Sequence, residues 1–227
     1  MVSLSEFVSE INGKDVRKVV ETADISKKYA TLSNSKDIVG ELFPNNRMSM
    51  TREQIFNEKD TRKKLIMILV WGYPSDTRNT PTIIENISKL VELQSEYENG
   101  TISGEQYLKD LLAVRRLGLS TATKILYFMN VSIVGHPCII ADARVEAALP
   151  LIKEFTSIKR GEDIPFYKKF IGKVDDVARQ YGLTQDGIEY FLFNLGKVWE
   201  DHMGEIQAKE VQNANKIQLE ILLKALA

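Results

Sequence analysis

A chain of 227 residues, 44% hydrophobic and 27% charged, has apolar material for one sizeable core or two smaller lobes and lacks the bias of a disordered or fibrous sequence. Its net charge of -1 leaves any polyanion to be met by local basic clusters, and its single cysteine, Cys138, excludes an internal disulfide and a cysteine metal cage. That cysteine usage suits a reducing cytoplasm, Met1 to Glu10 lacks the apolar stretch of a secretory signal, and the longest apolar run, Leu65 to Trp71, is too short for a bilayer.

Helical periodicity dominates, and alternating β patterns are nearly absent. Ser3 to Phe43 reads as polar helix. Thr51-Arg52-Glu53-Gln54 is a capping box before a helix running to about Trp71. Thr80 before Pro81 opens another, continued by Ile83, Ile84, Ile87, Leu90 and Val91. Ser103-Gly104-Glu105-Gln106 is a second capping box, leading through Tyr107, Leu108 and Leu111 to Arg116, where Gly118 ends the helix. Thr121 to Asn130 follows, then a buried extended link at Cys138 to Ile140, then a helix from Asp142 to Leu149 stopped by Pro150. Ile164 to Tyr181, Thr184 to His202 and the amphipathic stretch Gly204 to Ala227 complete an all-α fold. Residues 1-50 are expected to form an N-terminal helical segment and 51-227 an integrated two-lobed core. Two helices joined by a short Gly turn, spanning about 103-130, make a helix-hairpin-helix.

Lys124 and Asp142 are the informative pair. A turn that opens a helix exposes backbone N–H groups able to hold a phosphate, and Gly118 is expected to supply the backbone freedom, with Ser120 or Thr121 capping the helix that follows. Lys124 stands near the start of that helix. A lysine whose ammonium is disfavoured by its surroundings is a nucleophile able to form a Schiff base. Asp142, 18 positions further on, opens the next helix, whose N–H groups would keep a carboxylate ionised. Such an anion can stabilise positive charge developing on a sugar C1′. Taken singly, each residue also has an ordinary reading: an exposed lysine and a helix cap.

Three stretches carry a resemblance. They are Gly118-Leu119-Ser120-Thr121-Ala122-Thr123-Lys124-Ile125-Leu126-Tyr127-Phe128, Ile139-Ile140-Ala141-Asp142-Ala143-Arg144-Val145, and Val70-Trp71-Gly72-Tyr73-Pro74 with Arg78-Asn79 after it. Together with Gly187 to Phe193 they resemble the helix-hairpin-helix DNA glycosylase superfamily, above all its 8-oxoguanine glycosylase-like bacterial branch. The resemblance implies a two-lobed helical fold, Lys124 as nucleophile, Asp142 as its assisting acid, and Leu117, Gly118, Leu119, Ser120 and Thr121 as the phosphate-binding backbone. Ser120 stands where the usual hairpin has a second glycine, and the usual lysine position falls on Ala122. If Lys124 is not the nucleophile, Asp142 would direct a water instead, and the enzyme would be monofunctional.

Trp71 and Tyr73, with Arg78 and Asn79, are the candidate base pocket, since aromatic faces stack on an extruded base and polar tips read its edge. Core packing is the alternative for the two aromatics. The expected partner is double-stranded DNA carrying a damaged or modified base, 8-oxoguanine-like by resemblance, met by a monomer in the cytoplasm at the nucleoid, away from membranes. No cofactor and no catalytic metal are expected, since His136 and His202 are the only imidazoles. A monovalent cation on the hairpin carbonyls is implied by the resemblance. Two rivals remain: a non-catalytic DNA-binding protein on the same scaffold, and a helical protein-interaction module docking through Leu219, Ile221 and Leu222.

Overall fold

The computed structural model describes residues 2-75 and 79-206. Helices predominate among them: α1 (Val8–Asn12), α2 (Lys36–Leu42), α3 (Arg52–Asn57), α4 (Thr61–Gly72), α5 (Thr80–Glu85), α6 (Ile87–Glu98), α7 (Gly104–Ala113), α8 (Leu119–Phe128), α9 (Ala143–Ala148), α10 (Asp163–Tyr181) and α11 (Gln185–Ile206). Two short antiparallel ladders accompany them, β1 (Val20–Asp24) with β2 (Arg47–Thr51), and β3 (Ser132–Ile133) with β4 (His136–Pro137). The all-α class is as expected. Of the expected terminal stretch Gly204 to Ala227, the first three residues end α11, and the rest, with Leu219, Ile221 and Leu222, lies outside the described residues.

The chain divides into two compact units, one of Met1–Val16 with Ile139–Ala227, the other of Arg17–Cys138. The division expected near residue 50 is not where contacts thin out. The N-terminal stretch splits its allegiance instead. Val2 pairs with Ile152 as an isolated parallel bridge, whereas Val20 to Asp24 run along Thr51 to Arg47.

In the Arg17–Cys138 unit the largest correction concerns Ser3 to Phe43. Residues 20-24 form a strand, because Met48 and Met50 alternate with polar residues on β2 and offer an apolar face with a period of two. The capping box at Thr51 forms as expected: Thr51 Oγ1 accepts from Gln54 N at 3.2 Å, and Thr51 N donates to Gln54 Oε1 at 2.7 Å. The helix it opens stops at Asn57 rather than running to Trp71. The Glu58 carboxylate accepts from Lys59 N and Asp60 N, diverting the backbone from helical pairing, and Asp60 caps α4 through Lys63 N at 2.7 Å. A second break falls at Asn86, whose side-chain amide bonds back to Thr82 O, so the run from Thr80 becomes α5 and α6. Helix α4 is the centre of this unit. Leu65, Ile66, Ile68, Leu69 and Val70 are all fully buried, as befits a helix packed by α2, α3, α6 and α8.

In the other unit, α10 and α11 carry the core through Phe170, Val174, Ile188 and Leu192. Helix α11 packs closely on α9 at Gly196, and Phe7 lies against Phe191 with ring centroids 5.4 Å apart. Glu154 fastens the N-terminus, accepting from Ser3 Oγ (2.6 Å), Leu4 N (3.0 Å) and Tyr181 Oη (2.9 Å). Burial pushes this carboxyl up, but those hydrogen bonds outweigh it and hold it below the usual carboxylate range. A lowered carboxyl contributes stability above its unfolded value that is lost as pH falls through the folded one. Glu154→Gln is therefore expected to cost about 1 kcal/mol, after solvent screening, in urea unfolding near neutral pH and progressively less as pH falls through the folded titration of the carboxyl.

Candidate active site

Helices α7 and α8 run into each other through residues 114-118. Ser103 Oγ caps α7 by accepting from Gln106 N at 3.1 Å. Val114 leaves the helix in an extended conformation, and Leu117 N closes the turn on Val114 O at 3.0 Å. The left-handed residue of the turn is Arg116, at φ 69°, not Gly118. Gly118 is extended (φ -92°, ψ 175°) and is itself the N-cap residue of α8. Both expectations for this turn are thereby corrected. Gly118 supplies no unusual backbone angle, and neither Ser120 nor Thr121 caps the helix, because both already lie in its first turn. A Cβ at Gly118 would meet nothing within 4 Å.

The freed hydroxyls have other work. Lys124 Nζ donates to Ser120 Oγ at 2.8 Å, one helical turn back. Tyr73 Oη lies 3.1 Å from Ser120 Oγ and 2.9 Å from Thr121 Oγ1. The ammonium also sits 5.2 Å from the Tyr73 ring centroid. Lys124 is only 5% exposed, its stem running past the end of α4, where a Cβ on Gly72 would come within 2.9 Å of Lys124 Cδ. The glycine in Trp-Gly-Tyr-Pro thus makes room for the lysine. Ser120, Thr121 and Tyr73 share with Asn79, Arg116 and Gly118 the wall of a hollow of about 150 Å³.

Of the residues expected to shape a base pocket, Tyr73 and Asn79 border this hollow, and Arg78 lies outside the described residues. Trp71 is 9% exposed, packs edge-on against Phe128 at 5.2 Å, and has the Arg52 guanidinium 5.3 Å from its ring centroid. It is a buried wall rather than an open platform. Leu117 and Leu119 are buried as well, so what they can offer a ligand is main chain.

Two residues near Lys124 escaped the sequence reading. Arg52, valued there only as part of a capping box, is 2% exposed. Glu21, on β1, lies within electrostatic reach of Arg52, Trp71 and, most weakly, Lys124. Burial raises its carboxyl above the usual range, against the pull of those three groups. The alternation of Met48 and Met50 was the available signal, because it marks the ladder that carries Glu21.

In the other unit Asp142 is the N-cap of α9, its Oδ1 accepting from Arg144 N and Val145 N, each at 3.1 Å. The preceding link is held by Tyr167, which receives a bond from Ile139 N (3.2 Å) and donates to Ile139 O (2.8 Å). Arg144 is turned to Glu200 (3.1 Å) and lies over the Phe193 ring. Arg160 pairs with Glu146 and Asp163.

A sequence model of the family described as "Putative 8-oxoguanine DNA glycosylase OGG-like protein" matches residues 13-193. The chain belongs to this family. No curated protein and no solved structure matches the chain. Membership makes the protein one of a family of enzymes described as acting on DNA, and both Lys124 and Asp142 lie within the matched residues. No helix among the described residues is long and apolar enough to cross a membrane.

For a DNA-binding family the empty space at Gly118 has a testable meaning. Gly118→Ala is expected to leave thermal stability within about 0.5 kcal/mol, since the Cβ meets no protein atom. If a phosphate approaches the main chain there, the same change weakens duplex retention in a gel-shift titration. Unchanged affinity would remove close approach as the reason for the glycine.

Proposed function

We propose that this protein is a DNA glycosylase that excises a damaged or modified base, oxidised guanine foremost, from duplex DNA, with Lys124 as nucleophile and Asp142 as the acid that steadies the sugar cation. The observation that carries the reading is the buried amine of Lys124, held by Ser120 at the head of α8. A base in the stack is out of reach, so the nucleotide must be extruded first. The lysine nitrogen then attacks C1′ as the glycosidic bond breaks. The bonding pair departs with the base, which takes up a proton. Loss of a proton from nitrogen and opening of the sugar ring give a Schiff base. That species permits β-elimination of the 3′ phosphate. The hairpin formed by α7, the 114-118 turn and α8 would hold the DNA backbone through the N–H groups of Gly118, Leu119 and Ser120, since Thr121 N already donates to Gly118 O at 3.0 Å. A monovalent cation on the turn carbonyls would fit the same role.

The test uses duplex oligonucleotides bearing single lesions, with borohydride present. A covalent adduct and release of the oxidised base are expected. Base release without an adduct would replace the lysine mechanism by a water directed by Asp142. Retention of the duplex with neither would make the protein a reader of DNA. Asp142→Asn isolates the charge from the cap, because asparagine caps a helix about as well as aspartate. Turnover is expected to fall by about two orders of magnitude or more while α9 and duplex retention persist. Equal turnover in that variant would strip Asp142 of its role.

A further inference from the structure

Ser120 stands where the usual hairpin has a glycine, and its hydroxyl receives the Lys124 amine at 2.8 Å. An ammonium has protons to give and no lone pair, so in that bond Ser120 Oγ accepts and its own proton is left to donate. Tyr73 Oη lies 3.1 Å from Ser120 Oγ and 2.9 Å from Thr121 Oγ1. Amine, serine, phenol and threonine therefore form one continuous chain, in which every O–H can point away from the lysine. The phenol is fixed from behind. Tyr73 N donates to Leu69 O at 3.0 Å, and Tyr73 O accepts from the buried Tyr29 Oη at 2.7 Å. Lys124, at 5% exposure, is withdrawn from bulk water and does not itself line the hollow of about 150 Å³, whereas Ser120, Tyr73 and Thr121 do. A lysine nucleophile must shed a proton before its lone pair can attack, and another once the C–N bond has formed.

We propose that Ser120, Tyr73 and Thr121 form a hydroxyl relay that carries protons from Lys124 Nζ to water in the hollow, with Ser120 as the positioning residue that both aims the amine and takes its proton. In one passage Nζ gives a proton to Ser120 Oγ while Ser120 gives its own to Tyr73 Oη. Tyr73 gives its own to Thr121 Oγ1, and Thr121 gives its own to water. No bond between heavy atoms changes and each hydroxyl ends neutral. The single positive charge moves from nitrogen to hydronium. The use of the relay in catalysis rests on Lys124 being the nucleophile, but the passage of its protons to water does not.

The relay is read first without DNA. Exchange of the Lys124 ammonium protons with water is followed at one fixed pH by NMR of protein labelled with 15N-lysine, the resonance being assigned by its loss in Lys124→Gln. Tyr73→Phe keeps the ring whose centroid lies 5.2 Å from the ammonium and removes the hydroxyl alone. Exchange should slow by about tenfold or more in Tyr73→Phe and in Ser120→Ala. Equal or faster exchange in either variant overturns the proposal.

The catalytic use is read as single-turnover adduct formation on lesion duplex with borohydride, the protein being in saturating excess so that affinity drops out. Each variant should fall by about two orders of magnitude, and the double variant no further than the slower single one, because a chain is broken only once. Ser120→Gly, which gives the hairpin its usual residue, should fall with Ser120→Ala, whereas Ser120→Thr keeps a hydroxyl and most of the rate. Additive losses, or full rate in Ser120→Gly, would remove the relay from catalysis. If the unaltered protein forms no adduct at all, the nucleophile reading fails, and the exchange measurement still decides the relay.

Discussion

Lys124→Gln is expected to abolish the borohydride-trapped adduct and to cut base release by about three orders of magnitude, in a variant that stays folded and still retains duplex DNA. The substitution is informative because of what it preserves. A glutamine amide can still donate towards Ser120 Oγ, which accepts from Lys124 Nζ at 2.8 Å, and its stem fills the space beside Gly72. The amine and its charge are lost, together with one methylene of reach. Single-turnover base release and trapping, measured on the same preparations, separate two outcomes. Loss of both assigns the displacement to the lysine. Loss of the adduct with base release intact means that the amine only captures a sugar already freed by water.

Gly196→Ala is expected to lower stability by about 3 kcal/mol and the melting temperature by roughly 10 °C. A Cβ at this position would lie 1.9 Å from Arg144 O and 2.6 Å from Arg144 C, both backbone atoms, so no side-chain rotation can relieve the clash. Either α11 or α9 must move. Arg144 N and Val145 N are the donors that hold Asp142 Oδ1, so a displaced α9 also disturbs the carboxylate. Turnover should therefore fall further than the folded fraction does. Gly161→Ala is the control, since a Cβ there meets nothing within 4 Å. Calorimetry of the two variants side by side checks the claim. Equal melting temperatures would mean that α9 and α11 have room to part.

Some of the site was plain before any coordinates. Asp142 caps the helix it was expected to open, and Lys124 lies on the helix that follows the α7 turn. The turn from α7 into α8 and the hydroxyls around the lysine differ from the expectation. Ser120 and Thr121 looked like caps because a short polar residue near a helix start commonly is one. Their true partners, Tyr73 and Lys124, include a residue 47 positions away. Arg116 adopts the left-handed conformation in the turn, although an arginine gives no local sign of doing so.

The amino-acid order by itself determined what depends on neighbours within about four residues. It set the capping box at Thr51, the N-caps at Ser103 and Asp142 and the all-α class, because these rest on short hydrogen-bonded loops whose partners are written side by side. Tertiary packing decided the rest. It placed β1 beside β2, brought Arg52 over the rings of Trp71 and Tyr127, and laid Gly72 against the lysine stem and Gly196 against Arg144. Those contacts join segments tens of residues apart, where local propensity is silent and the fit of one buried surface on another chooses the partner.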